Sequence, residues 1–234
     1  MALPKIETPV FKAILPVSGK EIQYRPFLVK EEKILLVAKE QGEQQASLDS
    51  IVQVVNNCLI SDSDPLEWPT TDLEYAFLRI RAASVNNEVE VRYKDGEDGQ
   101  ERDFTVLIDD IEIVKPEGHN NKFKVNDNLT VTLKYPTVKE FLDLENMTKE
   151  IPTSELALHV TAASIKSVQD QTTVYDDFTK EEVVEFLSDL NSTQFAGINK
   201  FLETIPYYEY IITYKNNEGN NREIVMRGIQ DFFS

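Results

Sequence analysis

The residues able to carry chemistry are few and scattered. His119 and His159 are the only histidines and Cys58 is the only cysteine. No His-x-x-x-His or comparable ligand spacing occurs, and a single cysteine allows neither an internal disulfide nor a thiolate zinc cage. A nucleophilic thiol needs a nearby base or a helix N-terminus. Cys58 falls near the C-terminal end of a helical stripe, where the dipole opposes a thiolate, so it reads as a small packing residue. His119 lies in a proline-, glycine- and asparagine-rich stretch and His159 on a helix. Each is expected to be solvated or partly buried.

The run Asp95, Gly96, Glu97, Asp98, Gly99 faintly resembles a calcium loop. It lacks alternating oxygen ligands and a closing glutamate, and it falls between two strands, so a solvated turn is expected. The pairs Asp109, Asp110 and Asp176, Asp177 read as surface charge. Dinucleotide, Walker-type phosphate and nucleophile-elbow motifs are absent from the sequence. What remains is aromatic. Trp68 precedes a helix and is expected in the core, with an interface anchor as the other reading. Tyr207, Tyr208 and Tyr210 enter the last hairpin beside Ile211 and Ile212, and are the candidate protein-contact residues together with Trp68, with core packing an equal reading for the tyrosines.

The elements holding these residues recur in order. An apolar segment from Ile14 meets a turn at Ser18 and Gly19, returns through Ile22 and Tyr24, and closes at Pro26; Val29, Lys30 and Glu31 then open a helix. From Val125 the pattern repeats: turn, alternating strand to Leu133, Pro136, then Val138, Lys139 and Glu140, with Thr137 and Glu140 at capping-box spacing. Tyr93 and Lys94, an acidic glycine-rich turn and Arg102 match Tyr214 and Lys215, a similar turn and Arg222. Between these anchors both halves read as helix. One stripe carries Leu48, Ile51, Val52, Val55 and Leu59, and another Leu158, Thr161, Ala162 and Ile165. Thr71 with Glu74, and Thr179 with Glu182, read as helix caps. Residues 194–205 read as a helix added to the second copy.

The expected fold class is therefore α+β: two tandem, diverged copies of a unit with an N-terminal β-hairpin, two to four helices and a C-terminal β-hairpin. The copies are expected at residues 1–115 and 122–234, joined by a linker at 116–121.

Composition narrows the function classes. The net charge is −17 over 234 residues, and both halves are acidic, which disfavours binding to phosphate backbones. Hydrophobic residues make up 41%, enough for a real core rather than a disordered chain. Apolar runs are far too short to span a bilayer. The first residues lack the apolar stretch of a signal peptide, so a reducing cytoplasm is the expected compartment. No cofactor, metal, nucleic acid, membrane or small-molecule substrate is expected.

A family resemblance adds to this. The segment LPVSGKEIQYRPFLVKEEKILL at residues 15–36 resembles the opening of T-even-type myovirus baseplate hub assembly proteins, and PLEWPTTDLEYAFLRIR at 65–81 is similar to a helix of the same family. LKYPTVKEF at 133–141 resembles tail-assembly chaperones of contractile-tailed phages. Members of the family that this chain resembles often carry cysteine pairs in the hairpin matching residues 91–106, suggesting a zinc ribbon; this chain has none there. The resemblance implies a non-enzymatic protein, structural component or assembly chaperone, that helps build the baseplate hub through contacts with other phage tail or baseplate hub proteins. Its expected locations are the host cytoplasm during assembly and the virion tail baseplate. An acidic decoy for a host nucleic-acid-binding protein is the alternative reading, and a carboxylate-only tail glycosidase a third.

Overall fold

The computed structural model describes residues 7–40, 48–147, 152–228 and 231. Contacts divide the chain into two compact units, residues 1–114 with 207–234, and residues 115–206. The class is mixed α+β, with hairpins at both ends. In this division the last hairpin belongs to the first unit and residues 115–121 to the second.

The first unit opens with β1 (Phe11–Ile14) and β2 (Glu21–Tyr24), paired antiparallel. Gly19, at φ 71°, takes the left-handed position of the turn at no steric cost. Pro26 ends the strand and α1 (Val29–Glu40) follows. Glu31 sits fully buried at its start. It accepts the Leu28 N–H at 2.8 Å and both Arg25 terminal nitrogens, at 3.0 and 3.3 Å. Burial alone would raise its pKa, but the Arg25 and Leu28 hydrogen bonds prevail and lower it.

Helix α2 (Leu48–Cys58) buries Ile51, Val54, Val55 and Cys58, the i, i+3, i+4, i+7 face of one helix. Helix α3 (Thr70–Ser84) starts directly behind Pro69, so Thr71 lies within its first turn rather than capping it. Its fully buried Asp72 accepts the Val17 and Ser18 amides at 2.8 and 2.9 Å, tying the β1–β2 turn to the helix start.

Two hairpins complete this unit. Strands β3 (Glu88–Lys94) and β4 (Glu101–Leu107) form one, followed by the short β5 (Glu112–Val114).

The second unit carries β6 (Lys122–Asn126) and β7 (Leu129–Leu133), then α4 (Val138–Met147) and α5 (Thr153–Ala163). Glu140 accepts the Thr137 N–H at 2.8 Å while Thr137 Oγ1 accepts the Glu140 N–H at 3.2 Å, the capping box expected there. After α5 the chain turns to strand instead of continuing the helical stripe. Strands β8 (Ile165–Gln169) and β9 (Val174–Tyr175) extend the sheet in the order β6-β7-β8-β9. Helices α6 (Lys180–Ser188) and α7 (Ser192–Glu203) follow, each opened by a capping box, Thr179 with Glu182 and Asn191 with Gln194. Val125, Val131, Leu133, Ile165, Val183, Leu187, Ile198 and Phe201 form the core between sheet and helices. The stretch read as a linker is anchored at His119, hydrogen-bonded to Thr204 Oγ1 at 2.9 Å and Tyr135 Oη at 2.8 Å.

The chain then returns to the first unit as β10 (Tyr207–Lys215) and β11 (Asn221–Arg227), in a sheet ordered β11-β10-β5.

Candidate functional site

Strand alternation decides what the last hairpin buries and what it shows. Tyr210, Ile212, Ile224 and Met226 pack inward on a core of Leu78, Val89, Val91, Val106 and Ile108. The opposite face carries Ile211 and Val225, directly paired across the strands and about half exposed at 49% and 46%. Glu209 and Arg227 are the next pair on that face; Arg227 Nε lies 2.8 Å from Glu209, and its guanidinium stands 4.8 Å from the Tyr207 ring centroid.

The four aromatic candidates divide accordingly. Trp68 is 1% exposed and donates its indole N–H to Ser63 Oγ at 2.9 Å. Tyr208 is also 1% exposed, donates its hydroxyl to the Thr71 carbonyl at 3.2 Å, and stacks on Tyr75. Burial drives the Tyr208 pKa far up. Both are buried in the first unit with satisfied polar tips, which is the core reading of each rather than the contact reading. Tyr207 and Tyr210 remain half-buried. Period-2 alternation puts Tyr207 on the outer face with Ile211 and Val225, and turns Tyr208 and Tyr210 inward.

The tips of the two hairpins lock together. Asp95, fully buried, accepts the Tyr214 hydroxyl at 2.6 Å and the Glu97 N–H at 2.7 Å. Asp98 accepts from Arg102 at 2.5 Å and from the Asn217 N–H at 3.0 Å. Arg222 reaches Glu97 at 2.8 Å, and Asn216 donates to the same carboxylate at 2.9 Å. The Tyr214 hydroxyl lowers the Asp95 pKa, and Arg102 with the Asn217 amide holds Asp98 far below the usual carboxylate range. The acidic run is thus a polar clasp, not the solvated turn expected, because its carboxylates point at donors of the other hairpin.

The remaining candidates offer no matched nucleophile and base. Cys58 is buried with Arg25 Nη1 3.8 Å away; burial outweighs the nearby charge and pushes the thiol to about 11. His119 stacks against Tyr135 and Phe201, and burial lowers its pKa. His159 lines a cavity of about 200 Å³ with Leu144, Ile165, Phe178 and Val183, rimmed by the Lys134–Glu140 ion pair. Asp109 pairs with Arg79 and accepts the Asn87 amide. Among the described residues no group of three His, Cys, Asp or Glu side chains could hold a metal ion. None of the described helices is long and apolar enough to cross a membrane.

The model of the family described as T4 bacteriophage base plate protein matches residues 8–234. The chain belongs to that family. No curated protein and no solved structure matches it significantly. The family match covers both compact units of this base plate protein, whereas the motif resemblance was concentrated in the first half.

Proposed function

We propose that this base plate family protein acts without catalysis, in assembly of the baseplate hub, by contacts with other tail or baseplate hub proteins. The observation that carries the reading is the family match across nearly the whole chain. Exposed apolar side chains on the first unit support it: Phe11 and Ile14 on β1, Val29 and Leu36 on α1. These lie apart from the core stripes, and burying them against a partner is the favourable term such contacts need. Tyr207 and Tyr210 contribute what partial exposure they keep. The working locations are the host cytoplasm during assembly and the tail baseplate of the virion.

We also read the chain as an internal duplication, supported by matching local geometry. Glu31 reaches back to the Leu28 amide as Glu140 does to Thr137. The Arg25 N–H bonds the Cys58 carbonyl as that of Lys134 bonds Ser164. Asp95 and Asn216 each cap the turn they open, accepting the Glu97 and Glu218 amides. Two related modules in one chain present similar but unequal surfaces to neighbouring subunits.

The decoy reading draws on net charge alone, and several of those acids are consumed internally by Arg25, Arg102 and Arg222. The test of the hub reading is co-expression with each tail hub and baseplate protein in turn. Stable copurification with one of them is expected; copurification with none overturns the reading.

A further inference from the structure

The open edge of β11 is built to pair with itself. Its sheet is ordered β11-β10-β5, so among the described residues β11 has a strand partner on one side only. The ladder fixes which backbone groups face that open side. The Asn216 N–H bonds the Asn220 carbonyl, and the Gly228 N–H bonds the Tyr208 carbonyl, at the two ends of the β10–β11 register. Hydrogen-bonded and non-hydrogen-bonded pairs alternate along an antiparallel ladder. Arg222, Ile224 and Met226 therefore turn their N–H and C=O toward β10, and Glu223, Val225 and Arg227 turn theirs outward.

We propose that two copies of this chain associate through antiparallel pairing of β11 with β11, centred on Val225. In that register Val225 faces its own equivalent, and Glu223 of each copy faces Arg227 of the other. All three are hydrogen-bonded pairs of the new ladder, using only the outward backbone groups. Side-chain parity agrees on both faces. On the outer face, Glu223 and Arg227 are directly opposed with opposite charge, which favours the pairing. Ile211, already paired with Val225, extends the contact into a continuous apolar row of Ile211, Val225 and their equivalents. On the inner face, Ile224 stands opposite Met226, apolar on apolar. A strand of unrelated sequence would have no reason to match this charge order, whereas the two-fold operation supplies both ion pairs at once.

One group opposes the pairing. Asp231 accepts the Arg227 N–H at 2.6 Å, occupying an outward donor at the end of the strand. Blunting an edge in this way is a known defence against edge-to-edge association. Pairing exchanges that bond for one to the Glu223 carbonyl of the second copy, so Asp231 sets the threshold for association.

Sedimentation velocity on the full chain across a concentration series tests this. The unaltered chain is expected to show a reversible monomer–dimer equilibrium, tightened several-fold by Asp231→Ala. Glu223→Arg alone and Arg227→Glu alone are each expected to be monomeric, because each opposes like charges. An equimolar mixture of the two variants regains the dimer, since every opposed pair is then of opposite charge. Val225→Pro removes the outward N–H without touching the β10 ladder, and is expected to be monomeric with unchanged circular dichroism. A chain that stays monomeric through the high-micromolar range overturns the proposal. So does a dimer that survives both Glu223→Arg and Val225→Pro, or a mixture that stays monomeric.

Discussion

Asp98 shows how an ordinary acidic turn becomes structural. Its carboxylate is held by Arg102 and the Asn217 amide, and its neighbour Asp95 by the Tyr214 hydroxyl; both pKa values lie below the usual carboxylate value. A carboxylate with a depressed folded pKa contributes stability that is present above its unfolded value, near 3.9, and is lost as pH falls through the folded one. The clasp between the hairpins is therefore expected to weaken from about pH 4 downward, not near neutrality. Asp98→Asn removes the charge and should flatten the fall in melting temperature over that acidic window, while lowering the melting temperature at pH 7. Thermal melts at a series of pH values check this, and an unchanged acid slope in Asp98→Asn would assign the loss to other carboxylates. The link between the hairpins was not readable in the sequence, since Tyr214 and Asn217 lie 119 residues from Asp95 and Asp98, although Arg102 is a local partner four residues from Asp98. The buried packing role of Cys58 was readable, because its place on the apolar stripe near a helix C-terminus already disfavoured a thiolate.

At the scale of elements, helix α7 is packed through an absence. A Cβ built on Gly197 would lie 2.2 Å from Cε2 of Phe123 on β6, so the ring occupies the space that any larger residue needs. Gly197→Ala gains about 1 kcal/mol of helix propensity but forces a half-buried ring aside, at about 1–3 kcal/mol. Net destabilisation of the second unit is expected, read as faster hydrogen exchange of the α7 amides. In a Phe123→Ala background the sign should reverse, with Gly197→Ala stabilising; a cycle with no coupling would show that the two do not share space. Periodicity and capping signals located α2, α6 and α7, because long apolar stripes and Thr179 with Glu182 act locally. Strands β5, β8 and β9, of three, five and two residues, were illegible for the opposite reason. Ile165 extends a helical stripe on paper, yet pairing with Leu133 across the sheet overrides it.

The path of the whole chain was the hardest feature to read, because the tandem order of motifs hides a return. Val114 at the end of β5 pairs with Tyr207 at the start of β10, so the first unit leaves and re-enters at adjacent backbone positions. Residues 115–206 thus form an excursion from a sheet whose three strands are all present without them. Replacing them with a Gly-Ser link of roughly four residues is expected to leave the first unit folded, since antiparallel neighbours need only a short connection. Ending the chain at residue 121 is expected to fail. It strips Met226, Tyr210, Ile212 and Ile224 from the core around Val89 and Val106. It also leaves buried Asp95 without Tyr214. A buried carboxylate without its donors and an uncovered apolar sheet face act in the same direction, toward an aggregated or molten chain. Cooperative unfolding of the excised chain, against loss of cooperativity in the truncated one, is the measurement that separates them. If the truncated chain melts as sharply as the excised one, the last hairpin is an accessory to the first unit rather than part of its core.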